Sequence, residues 1–405
     1  MRASRGPHDG WQTICTKCHR PASDAFTPFC EQCGAMTDIE YDLDRAELRD
    51  SQNPFIRFRD LIPVHDDRLL PSHGRFTDTV HAVALGDKLG MTGLYLKNET
   101  LLLTGTTKDR MAAVAIPYLY EGGVRGFCTS STGNSSTAYA HAITQVAGMT
   151  MYLFTASDFA KRLHIPDSPQ VVNFVLRDAT FVEAFDAARA YAERNGLISE
   201  RGFFNPGRRE GLKLAFLEAA DQVPGTIDWY FQAVSSAMGV YGTHRGACQM
   251  KALGAIAEIP RMVCVQQDTC APMVTAWESG SDQIRPQDIV ERPIGIAKAI
   301  LRGNPTLAYP PVRQLVVATG GTFVAVSEVE IRAAHDLLED EEGISSCFAA
   351  AAALAGAIKL RQRGDLAPDD TVLVNITGRE RTEKPSMGPI HWLVRSGDGW
   401  EPEEN

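Results

Sequence analysis

The sequence has no apolar run long enough to cross a membrane. Its longest runs, such as residues 349–354, fall far short of the ~20 residues that span a bilayer. The first fifteen residues also contain no apolar segment of the kind found in secretory signals. These two absences predict a cytoplasmic protein without a membrane partner.

Positive charge is also scarce, because 40 lysines and arginines face 50 aspartates and glutamates, for a formal net charge of −10. Affinity for nucleic acid comes mainly from basic side chains that neutralise phosphates. The acidic balance therefore argues against a nucleic-acid partner and favours a small molecule as the ligand.

Low-complexity tracts and internal repeats are absent, and 44% of the 405 residues are hydrophobic. This length and composition predict a globular protein of two or three compact units. From about Leu61 onwards, apolar strands such as GLYLKN, TMYLFT and TVLVNIT alternate with helical stretches. That alternation is typical of α/β folds, in which helices cover parallel sheets and ligands bind at the carboxyl ends of the strands.

Nine cysteines are present, and four of them form two C-x2-C pairs separated by eleven residues, namely Cys15, Cys18, Cys30 and Cys33. Each pair offers two thiolates to one tetrahedral ion, so the spacing predicts a zinc ribbon, and four thiolates would fill the coordination shell of a structural site. Two disulfides or incidental thiols are the alternatives, which a reducing compartment and the repeated spacing disfavour. The other five are predicted to be buried thiols: Cys128, Cys248, Cys264, Cys270 and Cys347.

A lysine stands at a predicted helix entrance in the segment TGTTKDR, residues 104–110. Burial and the positive end of a helix disfavour the ammonium form, which would suit Lys108 to act as a Schiff-base amine or a proton carrier. The segment is not a P-loop, because it lacks the second glycine and the hydroxyl after the lysine. The alternative is a capped helix with a surface lysine.

Two further strand-to-helix turns carry small or polar residues. In SSTGNSST, residues 130–137, hydroxyls and backbone N–H groups converge at the start of a helix, which predicts an anion site. Serine and asparagine also favour such positions simply as helix caps. The turn SSAMGVYGT, residues 235–243, contains only two glycines and on its own is typical of an ordinary turn.

In this order, the three turns resemble those of the fold-type II pyridoxal-phosphate enzymes, and among them threonine synthase and cysteate synthase. TGTTKDR is similar to the TGSFKDR of threonine synthases, which implies that Lys108 is the catalytic lysine that binds the cofactor. SSTGNSS resembles the STGN turn of the family, which implies that Asn134 contacts the pyridine 3-oxygen. The same turn implies that the substrate is bound by Ser131, Thr132, Gly133 and Ser135.

Later segments extend the resemblance. Asn205 and Arg208 lie in NPGRREG, which resembles the NPxRxEG segment implicated in binding the substrate phosphate. Thr377 matches the threonine that faces the pyridine nitrogen. The third turn stands where the family has a glycine-rich loop for the cofactor phosphate, and the cofactor-binding residues implied there are Ser235, Ser236, Ala237, Met238 and Gly239.

The resemblance covers roughly residues 60–385 and implies a two-domain fold like that of tryptophan synthase β, with an N-terminal zinc ribbon. The expected units are residues 1–40 for the ribbon and arm, 41–110 with 215–405 for a large cofactor-binding domain, and 111–214 for a smaller mobile domain. The implied cofactors are pyridoxal 5'-phosphate and structural Zn2+, and the implied assembly is a homodimer. The last segment, GDGWEPEEN, is expected to fray.

The choice of substrate depends on finer similarities. DWYFQAVSSAMG, NPGRREGLK, APMVTAW and NPTLAYPPV resemble cysteate synthase, which replaces the phosphate of O-phosphoserine with sulfite. TGRERTEK stands in place of the threonine-synthase segment TGHGLKD and brings Arg379 and Arg381 near Thr377, and SSCFA replaces EPxSA. We therefore expect β-replacement on an O-phosphorylated amino acid, with threonine synthase as the alternative and a non-catalytic protein of the same fold as a further one.

Overall fold

The computed structural model describes residues 10–22, 26–397 and 399–403. The predicted ribbon unit and the predicted fraying tail each lie partly outside these described residues. The strands in chain order are β1 Trp11–Cys15, β2 Thr37–Tyr41, β3 Thr79–His81, β4 Gly93–Asn98, β5 Gly126–Ser130, β6 Thr150–Ala156, β7 Val171–Leu176, β8 Ile198–Ser199, β9 Trp229–Ala233, β10 Arg261–Gln267, β11 Thr322–Val326, β12 Thr371–Ile376, β13 Ile390–Ser396 and β14 Gly399–Pro402.

Helices fill most of the connections between these strands. They are α1 Pro54–Arg57, α2 Val83–Leu89, α3 Lys108–Glu121, α4 Asn134–Ile143, α5 Ser157–Ala160, α6 Phe181–Arg194, α7 Pro206–Leu212, α8 Leu214–Gln222, α9 Met238–Ala252, α10 Pro272–Glu278, α11 Tyr309–Ala318, α12 Glu328–Glu342 and α13 Phe348–Arg363. The predicted helix starts near Asp109 and Ser135 lie within one residue of the observed ones. In the part of the chain that is described, no helix combines the length and apolar character that a bilayer requires.

The first large sheet has the strand order β11-β10-β9-β12-β4-β3 and is parallel except for the edge strand β3. The alanine-rich helix α13 packs closely on it, and a Cβ at Gly356 would lie 2.5 Å from Val265. Strands β4, β12 and β9 are neighbours, and their carboxyl ends lead towards Lys108, Thr377 and Ser235. Three separate segments of the sequence therefore meet at one edge of this sheet.

The second large sheet has the strand order β14-β13-β7-β6-β5-β8 and is parallel except for β14. The turn that begins at Ser131 follows β5 and enters α4. Two parallel sheets covered by helices confirm the predicted α/β fold class.

The C-terminal strands differ from the sequence-based expectation. Residues 215–405 were expected in the large domain, yet β13 pairs with β7 of the second sheet, and Leu393 is buried opposite Leu176. The expected fraying of GDGWEPEEN is wrong for its described part, because Gly399–Pro402 forms β14 against β13. This segment has little hydrophobic periodicity of its own, and β14 forms because the neighbouring strand β13 supplies its hydrogen-bond partners.

Strands β1 and β2 form a separate antiparallel sheet that carries the first cysteine pair at its end. Asp38, which is buried in β2, provides one of the attachments of this sheet to the rest of the fold. The Asp38 carboxylate accepts a hydrogen bond from Tyr241 (2.9 Å) and forms ion pairs with Arg209 (3.4 Å) and Arg245 (3.3 Å). The small sheet is thereby fixed against helices α7 and α9.

Candidate active site

The turn that holds Lys108 is paired with the segment that follows β12. An isolated antiparallel bridge joins Thr106 to Gly378, and the Thr107 N–H donates to the carbonyl oxygen of Thr377 (2.9 Å). Asp109 closes the turn by accepting hydrogen bonds from the backbone N–H and the hydroxyl of Thr104, both at 2.6 Å. The structure thus brings Lys108 and Thr377 together, although 269 positions separate them in the sequence.

The environment of Lys108 favours its neutral form. Burial in the protein, and secondly the guanidinium of Arg208, lower the pKa of Lys108 to about 7. A surface lysine has a pKa of roughly 10.4 and is almost wholly protonated at neutral pH. A lowered pKa gives Lys108 a much larger unprotonated fraction near pH 7 than an ordinary lysine, and the unprotonated form is the one needed for a nucleophile or a base. The alternative that Lys108 is an ordinary surface lysine at a capped helix start is therefore wrong.

The turn at Ser131 is built around a hydroxyl and a glycine. The Ser131 hydroxyl accepts hydrogen bonds from the N–H groups of Gly133 (3.0 Å) and Ser136 (3.3 Å). Gly133 has φ 129°, and a Cβ there would lie 3.0 Å from the Cβ of Arg162, so glycine is required on both counts. Ser131 therefore closes the turn that precedes α4, whose N-cap residue is Gly133 and has no side-chain cap.

Asn134 is held in one orientation by an arginine from the far end of the chain. Its Oδ1 accepts a hydrogen bond from Arg381 Nη1 (3.1 Å), which leaves the Nδ2 group as the available donor. Arg381 Nε also donates to the carbonyl oxygen of Thr104 (3.0 Å). Arg381 thus joins the Lys108 turn to the Asn134 turn. The difference between TGRERTEK and the threonine-synthase segment placed Arg381 near Thr377, but it did not predict the contact with Asn134.

Arg208 and Ser135 are brought together as the resemblance implies. Arg208 Nη2 donates to the Ser135 hydroxyl (2.8 Å), Nη1 pairs with Glu200 (2.6 Å), and Nε contacts the Met111 sulfur (3.0 Å). Glu200 was missed because no motif surrounds it, although a buried arginine implies a nearby anion. The guanidinium is therefore charge-balanced before any ligand binds.

Asn205 is fully buried at the start of α7, and neither its Nδ2 nor its Oδ1 has a hydrogen-bond partner within the described ranges. A buried amide without partners costs free energy, so such a group is typical of a ligand site. This observation fits the substrate-binding role that the resemblance gives to Asn205.

The loop after β9 leads directly into the fifteen-residue helix α9. Ala237 has the left-handed φ of 57°, so α9 starts at Met238, four residues before the predicted start near Gly242. A Cβ at Gly239 would lie 2.2 Å from the Gln232 side chain, which explains the glycine. Free N–H groups at the start of this helix can bind a phosphate, and serine hydroxyls stand beside them.

These residues fit pyridoxal phosphate. The region offers a lysine whose lowered pKa leaves part of it neutral near pH 7, an amide donor oriented by Arg381, and helix N–H groups for a phosphate. Ser235, Ser236, Asn134 and Thr377 are each half-buried, so a ligand can reach them.

The four clustered cysteines lie apart from these turns. Their sulfur atoms all lie within 4.8 Å of one another, with Cys15 and Cys33 at 3.4 Å and Cys18 and Cys30 at 3.7 Å. A tetrahedral zinc site with bonds of about 2.3 Å requires sulfur atoms about 3.8 Å apart. The arrangement is thus compatible with the predicted zinc ribbon. The other five cysteines are free thiols, four of them buried and Cys248 half-buried.

Replacing both Cys15 and Cys18 with serine is expected to abolish zinc binding while leaving cofactor binding intact. The ion pairs of Asp38 hold β2 to the helices without the cysteines, so the active-site loops keep their support. Metal analysis and the visible absorbance of cofactor-loaded protein test this, with Cys270→Ser as the control. Loss of the cofactor together with zinc would show that the ribbon is part of the active site.

The sequence is similar to a known protein family and to individual members of it. Residues 70–378 match the pyridoxal-phosphate dependent enzyme family, which is more than half of the chain. The chain is 28% identical to a cysteate synthase of Methanosarcina acetivorans over 381 residues, covering 90% of each protein. It is 30% identical to a threonine synthase of the same organism over 363 residues, covering 86% of each.

Solved structures show the same fold at lower identity. Maize serine racemase superposes with a TM-score of 0.62 at 19% identity, covering 76% of this chain and 89% of that one. A threonine deaminase from Solanum lycopersicum gives a TM-score of 0.61 at 20% identity, covering 76% and 84%. At these identities the likeness concerns the fold alone.

Proposed function

Because the chain belongs to the pyridoxal-phosphate dependent enzyme family, we propose that it catalyses β-replacement on an O-phosphorylated amino acid with release of phosphate. Family membership and the cysteate and threonine synthase relatives identify it as a pyridoxal-phosphate-dependent enzyme and confirm the fold-type II resemblance. Because the matching family and relatives are enzymes, the alternative of a non-catalytic protein with this fold is rejected. The proposed substrates are O-phosphoserine and sulfite.

The observation that carries this proposal is a lysine with a lowered pKa within electrostatic range of a buried arginine. The pKa of Lys108 is lowered to about 7 by burial and by Arg208, and Arg208 in turn contacts Ser135 and lies on the helix that Asn205 begins. A base next to a buried arginine and an unpartnered amide suits a substrate that carries an anion close to its reacting carbon.

Pyridoxal phosphate, when bound, withdraws electrons from the Cα atom of an amino acid and makes its Cα proton removable. In our proposal Lys108 holds the cofactor and carries that proton. Asn134 would donate a hydrogen bond from its Nδ2 group to the 3-oxygen of the ring, and Thr377 would stand next to the ring nitrogen. The loop of residues 235–239 binds the cofactor phosphate through its N–H groups and serine hydroxyls.

The substrate is bound from the side of the second sheet. Residues 131–133 supply N–H groups and hydroxyls for the substrate carboxylate, and Arg208, Ser135 and Asn205 bind the substrate phosphate. Arginine suits this group because its planar guanidinium can donate two parallel hydrogen bonds. Glu200 keeps the Arg208 guanidinium in place before the substrate enters.

The proposed reaction balances without an oxidant or reductant. The Cβ–O bond to phosphate breaks and phosphate leaves with the electron pair, while the sulfur lone pair of sulfite forms the new bond to Cβ. The proton removed from Cα by Lys108 is returned to Cα, and one proton from solution is taken up by the released phosphate.

The second candidate is threonine synthase, favoured by the 30% identity to a relative of that name. It would use the same lysine and the same phosphate-binding residues on O-phosphohomoserine. Absorbance titration of the cofactor-loaded protein with each phosphorylated amino acid, with phosphate release followed in parallel, separates the two. A response and sulfite-dependent turnover with O-phosphoserine support the proposal, whereas threonine formed from O-phosphohomoserine would replace it with the second candidate.

Attachment of pyridoxal phosphate to the apoprotein is expected to become faster between about pH 6 and pH 8 and then to level off. The neutral fraction of Lys108 rises through its pKa of about 7, whereas an ordinary lysine would continue to gain reactivity up to about pH 10. Stopped-flow absorbance across this range measures the midpoint. A rate still rising tenfold per pH unit above pH 8 would contradict the lowered pKa.

We also propose that the protein is a homodimer and that the smaller unit, residues 111–214 together with strands β13 and β14, moves relative to the larger one. Light scattering coupled to gel filtration tests the first part. Small-angle scattering with and without O-phosphoserine tests the second.

A further inference from the structure

A cleft of about 310 Å³ opens beside the turn that carries Lys108. Segments connected to both large sheets form its walls. Its polar lining includes Thr104, His141, His164, Arg379, Arg381 and Glu383. The predicted site residues did not include this cleft, and of its lining residues the roles proposed above use only Arg381, which orients Asn134.

The charges of this cleft do not cancel. Arg379 is paired with Glu383 (2.7 Å), whereas no carboxylate oxygen lies within 4.0 Å of Arg381 among the residues described. Arg381 Nη2 is buried and has no hydrogen-bond partner among those residues, and the same holds for Nη1 of the adjacent Arg162. Two guanidinium groups therefore carry donors that an anion would satisfy.

The two arginines lie close together. Arg381 Nη1 donates to the carbonyl oxygen of Arg162 (3.4 Å). Burial lowers the pKa of Arg381, Asp109 opposes this effect, and Arg162 adds to it. A guanidinium nevertheless stays charged in a protein, so positive charge persists here and an added anion would be stabilised.

Arg381 also connects the cleft to the turns that carry Lys108 and Asn134. It donates to Asn134 Oδ1 and to the carbonyl oxygen of Thr104, which lies four residues before Lys108. A ligand that contacts Arg381 from the cleft therefore lies next to both turns that we assign to the cofactor.

We propose that this cleft binds the small oxyanion that replaces the substrate phosphate, with Arg381 as the residue that contacts it. This inference rests on the proposed function. For sulfite, the sulfur lone pair forms the bond to Cβ, so its oxygens remain free to accept hydrogen bonds from the guanidinium. A thiol nucleophile would gain little from such donors, since sulfur is a weak acceptor.

Two different anions could bind to Arg381, namely the free oxyanion and an acidic group on the amino-acid substrate. Kinetics separate these alternatives. If the free oxyanion binds here, loss of Arg381 changes the KM for the oxyanion; if the amino acid binds here, it changes the KM for the phosphorylated substrate.

The test compares Arg381→Gln with Arg379→Gln in the cofactor-loaded full chain. The second arginine lines the same cleft but is already paired with Glu383, so it serves as the matched control. Glutamine keeps an amide N–H donor for Asn134 but carries no charge. For Arg381→Gln we therefore expect the KM for sulfite to rise about tenfold, equivalent to about 1.4 kcal/mol, and the KM for O-phosphoserine to stay within about threefold. The control is expected to change neither value more than about threefold.

Calorimetric titration with sodium sulfate provides a measurement that does not depend on turnover. Sulfate is expected to bind the wild type and the Arg379→Gln protein, and to bind Arg381→Gln about tenfold more weakly. If Arg381→Gln does not fold, His141→Gln removes a second lining group from α4, and a rise in sulfite KM of about threefold is expected.

Unchanged sulfate affinity together with an unchanged sulfite KM in Arg381→Gln would overturn the proposal. A rise in the KM of O-phosphoserine alone would also overturn it, and would assign the cleft to an acidic group of the amino acid. If the wild type binds sulfate through Arg381 but converts no O-phosphoserine with sulfite, the proposed function fails while the anion site stands.

Discussion

Replacing Lys108 with alanine is expected to lower kcat by at least about 10³-fold. Our proposal gives this amine two tasks, since it holds the cofactor and carries the Cα proton. Alanine can do neither. The loss should appear both in phosphate release from O-phosphoserine and in the visible absorbance of the lysine-bound cofactor.

Lys384→Ala is the matched control, because Lys384 is exposed and lies on the segment that follows Arg381. It should retain the absorbance and most of the turnover. If the lysine-bound absorbance persisted in Lys108→Ala, another lysine would hold the cofactor, and the proposed roles of Lys108 would be wrong.

Replacing Arg110 with leucine is expected to lower the free energy of unfolding by about 3–5 kcal/mol. Arg110 follows Lys108 by two residues and is 2% exposed. Its guanidinium forms ion pairs with Glu99 (2.6 Å) and with Glu218, and Glu218 also pairs with Lys97 (2.8 Å). Without Arg110, two buried carboxylates would share one lysine, and the uncompensated charge has no route to solvent.

Arg332→Leu provides the comparison for this substitution. Arg332 pairs with Glu328 on the surface of α12, where both side chains are about half exposed. Such a pair contributes roughly 0.3–0.5 kcal/mol. Urea unfolding of the two apoproteins measures the difference. Similar midpoints would contradict the view that the buried ion pairs hold the start of α3 in position.

Much of the fold could be predicted from local sequence. Alternating apolar strands and helices indicated parallel sheets, and the polar turns at Lys108 and Ser131 marked helix starts to within one residue. The C-terminal strands could not be predicted, because β13 pairs with β7, more than 200 residues earlier, and β14 in turn pairs with β13. A short strand with little pattern is stabilised by its partner, and the partner does not appear in the local sequence.

In the candidate site, too, some residues could be predicted from local sequence and others could not. The order of the motifs indicated Lys108, Asn134, Arg208 and Thr377, and the spacing of the cysteines indicated a metal-type cluster. Neither Glu200 beside Arg208 nor Arg381 beside Asn134 was recognised. Both were missed because a buried ion pair or a clamping hydrogen bond has no sequence signature at either residue.

Turn chemistry, cysteine spacing and helix starts depend on residues within a few positions of one another, so they can be derived from the printed sequence. The pKa of Lys108, the charge balance of Arg208 and the orientation of Asn134 depend on groups that are distant in the chain. Arg381 stands 247 residues from Asn134, and Arg208 stands 100 residues from Lys108. Desolvation and Coulomb forces act over a few ångströms of space, and it is the folding of the chain that brings these groups within that range.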